Sequence, residues 1–247
     1  MHAVTRPLIG CAGWSIPSRY SDLFGPGESM LARYATRFPV VEINSSFHRP
    51  HKLATYERWA ATVPPAFRFS VKLPRTISHD SGLVGVGSLL DRFLDESLGL
   101  GTKLGGLLLQ LPPSLALDPR RAASFFRALR RRTAVPLVCE PRHASWFTAP
   151  ADALLLRHDV ARAGVDPARV PSAAHPGGAS RWRYWRWHGS PRIYYSDYGE
   201  TALADLADLA DQVGAVAASP PWVIFDNTAH GFAVANAARL QELTADA

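Results

Sequence analysis

Short apolar runs rich in β-branched residues alternate along the chain with longer segments whose apolar residues recur three and four positions apart. The short runs are typical of strands, and the three-and-four spacing is typical of amphipathic helices. The sequence therefore predicts eight strands, separated by helical segments. The predicted strands cover residues 8–12, 39–43, 67–71, 105–111, 136–140, 160–165, 183–188 and 222–226.

Strands that alternate with helices are joined by crossover connections, so the predicted sheet is parallel. Eight such units in 247 residues fit an α/β fold of the (β/α)8 TIM-barrel class, as a single domain over residues 1–247. The third helical stripe consists of Leu83, Val86, Leu90, Phe93 and Leu94. The sixth unit differs, because residues 166–180 hold three prolines and a Gly-Gly pair but no apolar stripe. We expect a loop to replace most of the sixth helix.

The alternation of side chains along each strand predicts which residues face the barrel axis. In such barrels the inward face near the C-terminal strand ends forms the active site. Any single inward polar residue could be a satisfied structural group. Eight in phase, from six strands, indicate a functional pocket, because burying charged groups is costly. The eight are Glu42, Asn44, Lys72, Gln110, Glu140, Arg186, His188 and Asp226.

Lysine is rare in this sequence, with three residues against 24 arginines. Lys72 lies at a predicted strand end, where an ammonium can bind a phosphate or carboxylate or act as an acid or base. A structural ion pair of Lys72 with Glu42 or Glu140 is the alternative interpretation.

The formal charge of +6 favours anionic partners, nucleic acid among them, although arginine runs such as residues 130–132 are commonly just solvated. The apolar stretch 104–117 is interrupted by Gln110, Pro112 and Pro113, so we expect no membrane segment and no secretory leader. Cys11 and Cys139 lie in strand-like runs. They predict buried thiols rather than a disulfide, and hence a cytoplasmic protein.

Seven short motifs fall in order along the chain: GCAGW at 10–14, VEINSSF at 41–47, FSVK at 69–72, LQLPP at 109–113, EPRHASW at 140–146, RWHG at 186–189 and DNT at 226–228. From about residue 8 to residue 243 the chain resembles the YecE-like family, a domain of unknown function. The resemblance implies a TIM barrel and carries no established activity. Two features depart from the pattern of that family. Asp226 stands where asparagine is common, and the sixth unit is rich in proline and glycine.

The inward residues suggest metal-independent acid–base chemistry on an anionic small molecule that bears a phosphate or carboxylate. The expected reaction class is phosphoester hydrolysis, or isomerase or lyase chemistry, with no cofactor. The predicted catalytic residues are Glu42, Lys72, Glu140, His188 and Asp226. The predicted substrate-binding residues are Trp14, Asn44, Phe47, His79, Gln110, Arg142, His143, Trp146, Arg186, Tyr195 and Asn227.

Two further functions stay open at this stage. A divalent metal could be bound by inward acids and His188, with His79 or His143 from loops, but Lys72 and Arg186 bring opposing positive charge. Alternatively, the chain binds nucleic acid or cleaves phosphodiesters in the manner of an endonuclease. Aromatic side chains in loops on the pocket rim would stack on bases: Trp14, Phe47, Trp146 and Tyr195.

Overall fold

The protein is described by a computed structural model that covers residues 6–215 and 219–245. Within these residues ten strands form one sheet, and seven α-helices connect or follow its strands. The strands are β1 (Leu8–Ala12), β2 (Val40–Ile43), β3 (Arg68–Lys72), β4 (Leu104–Gln110), β5 (Leu137–Glu140), β6 (Val160–Arg162), β7 (Gly164–Asp166), β8 (Gly177–Gly178), β9 (Tyr184–Trp187) and β10 (Trp222–Phe225). The helices are α1 (Met30–Tyr34), α2 (Leu53–Thr62), α3 (Gly87–Ser97), α4 (Pro119–Arg130), α5 (Ala149–Arg157), α6 (Glu200–Gly214) and α7 (Phe232–Ala245).

The sheet is a nearly closed, barrel-like arrangement with the strand order β7-β9-β10-β1-β2-β3-β4-β5-β6-β8. All of its strand pairs are parallel except β6 with the two-residue β8. The predicted α/β class and parallel sheet are thus confirmed. Seven of the eight predicted strands occur within one residue of their expected bounds.

The predicted sixth strand, residues 160–165, is wrong as a single element, because Ala163 interrupts it. Before the break β6 pairs with β5, and after it β7 pairs with β9. The amide of Ala163 still donates to the carbonyl of Cys139 at 2.9 Å, and the next residue joins the other side. The segment 160–166 therefore pairs with strands at both ends of the sheet order.

The connection after β7 is the loop that the sequence predicts, since its only helical turn in the described chain is a 3-10 turn at Pro171–Ala174. Arg162 holds this loop from β6. Its guanidinium donates to the carbonyl of Ser172 at 2.9 Å and to Asp152 of α5 at 3.0 Å. A buried arginine thus replaces the apolar contacts that a packed helix would make.

The third helical stripe begins later than predicted. Helix α3 starts at Gly87, so Leu83 and Val86 precede it, although both are buried. Leu83 has a φ of 72° and closes a turn that follows a π-helical segment, Thr76–Asp80. The apolar spacing predicted the burial of Leu83 and Val86 correctly, but it did not predict that their backbone lies outside the helix.

The interior of the sheet is layered. Near the N-terminal strand ends Trp182, Tyr184 and Trp222 pack edge to face or stacked, with ring centroids 4.7–6.0 Å apart. We call these three rings the aromatic floor. Gly106 makes room for it, because a Cβ there would lie 2.3 Å from the Trp182 ring. Outward-facing apolar residues pack under the helices in a separate core.

None of the described helices combines the length and apolar character needed to cross a membrane. Cys11 and Cys139 are both buried and unpaired, as predicted. Burial raises the pKa of the Cys11 thiol to about 12, which makes it unreactive near neutral pH. The cytoplasmic location inferred from these cysteines stays a prediction.

Candidate functional site

A buried layer of ionisable groups lies on the C-terminal side of the aromatic floor. Tyr184 joins the two layers, because its hydroxyl donates to Glu42 Oε2 at 2.9 Å and lies 2.8 Å from Ser70 Oγ. Glu42 follows the apolar Val40 on the inward face of β2, so the polar layer begins one alternation step after the apolar one. Strand periodicity therefore sets the boundary between floor and site.

Arg186 of β9 is the centre of this layer and is fully buried. Its Nε and Nη2 donate to the two carboxylate oxygens of Glu42 at 2.9 and 2.7 Å. Nη1 donates to Glu140, and Nη2 also donates to Asp226 at 2.9 Å. Burial acts to lower the pKa of Arg186, but the three carboxylates outweigh it and hold the pKa well above its ordinary value. The guanidinium is a permanent cation shared by three strands.

His188, next on the same inward face, contacts two of those carboxylates. Its Nδ1 lies 3.0 Å from Asp226 Oδ2, and its Nε2 lies 3.4 Å from Glu140 Oε1 without a hydrogen bond. Burial lowers the pKa of His188, but the charge of Glu140 and the bond to Asp226 raise it above the ordinary value. Burial raises the pKa of Glu140, yet Arg186 and Arg142 hold it well below its usual range.

The charge state of His188 leads to a test on stability. Because its folded pKa is raised, protonated His188 stabilises the fold fully below the unfolded value of 6.5, and this contribution disappears as pH rises through the folded pKa. We expect the free energy of unfolding lost on His188→Gln to be larger at pH 6 than at pH 9. Urea denaturation of both proteins at several pH values measures this. A difference that grows with pH would contradict the assignment.

Lys72 ends β3 beside this cluster and is 5% exposed. No residue in the described part of the chain accepts a hydrogen bond from its Nζ, and none forms an ion pair with it. Its neighbour is Phe47, whose ring centroid lies 4.3 Å from Nζ. The ion pair with Glu42 or Glu140 considered from the sequence is therefore wrong, because Arg186 occupies those carboxylates. Burial and the charge of Arg186 lower the pKa of Lys72 to about 8.

A cavity of about 170 Å³ opens beside His188 and Glu140. We call it the Arg142 cavity. Arg142 Nε donates to Glu140 at 2.8 Å, while its buried Nη2 has no hydrogen-bond partner. Nε2 of His188 is likewise buried without a hydrogen bond. Arg169 adds a third basic side chain to the lining. The remaining lining side chains are apolar or come from proline: Pro141, Phe147, Val165, Pro167, Ala168, Ala173 and Ile193.

Several predicted binding residues do lie together near Lys72. The ring of Phe47 contacts His79 as well, with centroids 4.9 Å apart. Burial and the charge of Lys72 lower the pKa of His79, which keeps its imidazole neutral at neutral pH. Asn44 has a buried Oδ1 without a partner, and the Gln110 side chain is buried without a hydrogen bond to any described residue. Both amides are available to a ligand.

Trp146, His143 and Asn227 take part in hydrogen bonds within loops. Trp146 is buried, and its indole N–H donates to the carbonyl of Leu115 at 2.9 Å. His143 caps a 3-10 turn by accepting from the amide of Ser145. The Asn227 amide group donates to the Ser196 carbonyl and to Asn236, although its Oδ1 is unpartnered. These contacts stabilise loops, and the binding role expected of the three residues stays a prediction.

Two predicted aromatic residues lie apart from the charged layer. Trp14 packs edge-on against Trp59 of α2, with centroids 5.0 Å apart. Tyr195 is 39% exposed and lies beneath the Arg192 guanidinium at 4.2 Å. Among the described residues no cluster of three or more His, Cys, Asp and Glu side chains is arranged to hold a metal ion.

The sequence interpretation missed two residues of the site. Tyr184 is in phase with Arg186 and His188 and was expected on the inward face, but its hydroxyl was not counted among the polar groups of the site. Arg169 lies in the 166–180 loop, where no periodicity indicates its direction. No sequence signal identified it.

Comparisons with known proteins agree with the fold. A DUF72 family protein from Enterococcus faecalis V583 superimposes with a TM-score of 0.80 at 20% identity, over 96% of this chain and 94% of that one. A DUF72 family protein from Thermotoga maritima MSB8 gives a TM-score of 0.79 at 21% identity, over 96% and 99%. At these identities the likeness concerns the fold alone.

Two curated relatives are similar in sequence. UPF0759 protein YecE of Escherichia coli K12 is 29% identical over 177 residues, which is 70% of this chain and 61% of YecE. UPF0759 protein YunF of Bacillus subtilis 168 is 26% identical over 151 residues, or 58% of this chain and 52% of YunF. The matches thus span between half and two thirds of the relatives' length. The model of the family described as "Protein of unknown function DUF72" matches residues 8–247, so the chain belongs to the DUF72 family.

Proposed function

We propose that this protein is an enzyme that performs acid–base chemistry on a small anionic substrate, bearing a phosphate or carboxylate, at the C-terminal strand ends. The proposal takes the sheet to be a (β/α)8 barrel whose sixth strand is broken at Ala163, and in such barrels active sites lie at this end. The observation that carries it is the Arg142 cavity, where the buried Nη2 of Arg142 and Nε2 of His188 make no hydrogen bond of normal geometry to a described residue, although Nε2 lies 3.4 Å from Glu140 Oε1.

Unpartnered buried donors are costly, because each loses its hydrogen bonds to water without replacement. An anion in the cavity would accept from both groups at once. The charge count supports this preference. Three buried carboxylates (Glu42, Glu140 and Asp226) lie beside the basic side chains of Arg186, Arg142 and Lys72, and the pKa of neighbouring His188 is raised. With Arg169 in the cavity lining, the basic side chains outnumber these carboxylates, which favours a bound anion.

The geometry redistributes the acid and base roles predicted from the sequence. Both oxygens of Glu42 are bound by Arg186, so Glu42 is a positioning residue. We assign proton transfer to His188 and Lys72. Lys72 titrates near pH 8, close to the range in which a general acid or base works best. Glu140 and Asp226 orient His188 and raise its pKa.

Replacing Arg142 with methionine tests the anion site. We expect the Arg142→Met variant to bind inorganic phosphate or a short carboxylate at least about tenfold more weakly, since one charge-assisted hydrogen bond contributes roughly 1.5–3 kcal/mol. Isothermal titration calorimetry of both proteins measures the loss. Arg181→Met is the matched control, because the Arg181 side chain is 72% exposed and pairs with Asp159 outside the site. Equal affinity in wild type and Arg142→Met would overturn the proposal.

A second candidate function, nucleic-acid binding, is favoured by exposed aromatic and basic side chains in the loops at the rim of the pocket. Tyr194 and Tyr195 are 36% and 39% exposed, Arg192 stacks on Tyr195, and His230 contacts the same ring at 5.2 Å. Such interleaving suits unstacked bases. If this second function is correct, affinity for a single-stranded oligonucleotide falls steeply with salt and falls further in Tyr195→Ala. A flat salt response in fluorescence anisotropy would reject it.

A further inference from the structure

We propose that Lys72 is a nucleophile that forms an imine with a carbonyl group of the substrate. This inference rests on the proposed function, since it places an aldehyde or ketone on the same anionic molecule. It goes further by naming a covalent step and a substrate class: small carbonyl compounds that carry a carboxylate or phosphate.

The surroundings of Lys72 favour the neutral amine. Its side chain is almost fully buried, and the carboxylates that could neutralise an ammonium are held by Arg186. Nζ lies 4.3 Å from the centre of the Phe47 ring, and the charges of Glu42, Glu140 and Asp226 only partly offset the effect of burial and of Arg186 on its pKa. A buried cation without a counter-ion is costly, so a proton leaves this lysine more easily than it leaves an exposed one.

The backbone that carries the amine is also held in place. Lys72 is the last residue of β3, and Ser46 Oγ donates to its backbone carbonyl at 2.6 Å. Phe47 contacts both Lys72 and His79, which brings a neutral imidazole to the same ring. We assign His79 the role of accepting the proton that the amine releases, since the charge of Lys72 acts on its imidazole. A lysine amine with a base nearby is the arrangement that covalent catalysis by lysine needs.

The step balances without an added oxidant or reductant. The lone pair of Nζ forms a bond to the carbonyl carbon, and the carbonyl π electrons move to oxygen, which takes up a proton while the positively charged nitrogen releases one. The resulting carbinolamine is protonated on its hydroxyl and loses water, while the nitrogen lone pair forms the C=N bond. Water reverses the sequence and returns the amine and the carbonyl compound. The iminium withdraws electrons from the adjacent carbon, which makes proton removal there easier.

Glyoxylate, an aldehyde with a carboxylate, is the probe for this step, with acetaldehyde as its neutral counterpart. Each is incubated with the folded protein at pH 7 and sodium cyanoborohydride, whose hydride converts an iminium into a stable secondary amine. Peptide mass spectrometry then gives the rate at each lysine. The chain contains its own controls: Lys52 is exposed, and Lys103 donates to the carbonyls of Ala60 and Val63.

We expect Lys72 to be labelled by glyoxylate at least about tenfold faster than Lys52 at pH 7. The reason is its larger neutral fraction, which a pKa near 8 rather than 10.5 makes roughly 300-fold greater. Labelling should saturate with glyoxylate, and Lys72→Arg should remove it without changing Lys52. Labelling of Lys72 no faster than that of Lys52 would overturn the inference, and this comparison needs no variant to fold.

Acetaldehyde and Arg142→Met separate this inference from the proposed anion site. If both are correct, Arg142→Met slows glyoxylate labelling of Lys72 and leaves acetaldehyde labelling unchanged. If both aldehydes label Lys72 quickly and Arg142→Met changes neither rate, imine formation at Lys72 is supported and the anion site is contradicted. If phosphate binding depends on Arg142 but Lys72 is unreactive, imine formation is contradicted and the anion site is supported.

Discussion

Replacing Arg186 with methionine is expected to lower the free energy of unfolding by about 3–5 kcal/mol, the usual cost of breaking a buried ion pair. Arg186 is fully buried and donates to Glu42, Glu140 and Asp226. Methionine fills part of the volume but leaves three carboxylates buried without their shared cation. These must take up protons or draw in water, and both cost free energy.

Urea denaturation followed by circular dichroism measures this effect, and the melting temperature should fall by roughly 10 °C. Arg181→Met is the control, since an exposed ion pair contributes less than about 1 kcal/mol. A loss below about 1 kcal/mol for Arg186→Met would show that the cluster does not need its central cation. The variant should recover part of its stability at low pH, where the carboxylates become neutral.

The Arg186 cluster also explains why the sequence predicted the polar layer so well. An inward position in a strand is fixed by the alternation of side chains, and Glu42, Glu140, Arg186 and Asp226 all share it. Outward positions on the same strands are apolar because they face helices. The phase of each strand could therefore be read without knowing any contact between strands.

Which charges pair with which could not be read in this way. Alternation gives the face of a side chain but neither its height along the axis nor its rotamer. Lys72 and Arg186 both face inward, yet Arg186 binds all three carboxylates and Lys72 binds none. A guanidinium has five donors in a planar fork and can satisfy several carboxylates, whereas an ammonium is a compact point charge. That difference gives Arg186 the structural role and leaves Lys72 unpaired.

Loops limited the prediction for a different reason. Trp146 and Arg169 both lie beyond strand ends, where backbone direction depends on local turns and long-range hydrogen bonds. Trp146 turned out to be buried, and Arg169 turned out to line the Arg142 cavity. The break at Ala163 has a similar origin, because pairing with β5 and with β9 is a long-range property.

The unpaired state of Lys72 implies that a functional residue lowers the stability of this protein. Its pKa is about 8 in the folded chain against an ordinary 10.5, so folding disfavours the protonated form. This lowering of the Lys72 pKa destabilises the fold by roughly 3 kcal/mol below pH 8. Loss of the contact between the ammonium and Phe47 offsets about 1 kcal/mol of the gain on removal. We therefore expect Lys72→Met to raise the free energy of unfolding by about 2 kcal/mol at pH 7.

The pH dependence identifies the cause. Between pH 8 and 10.5 the unfolded lysine is still protonated while the folded one is not, so the wild type becomes more stable as pH rises through this window. The advantage of Lys72→Met should accordingly shrink from pH 8 upward and reach its minimum near pH 10.5. Urea denaturation at pH 7, 9 and 10.5 measures it, with exposed Lys52→Met as a control that changes little. Lower stability of Lys72→Met at pH 7 would mean that the ammonium is compensated in solution, which would remove the main reason for treating Lys72 as a reactive amine.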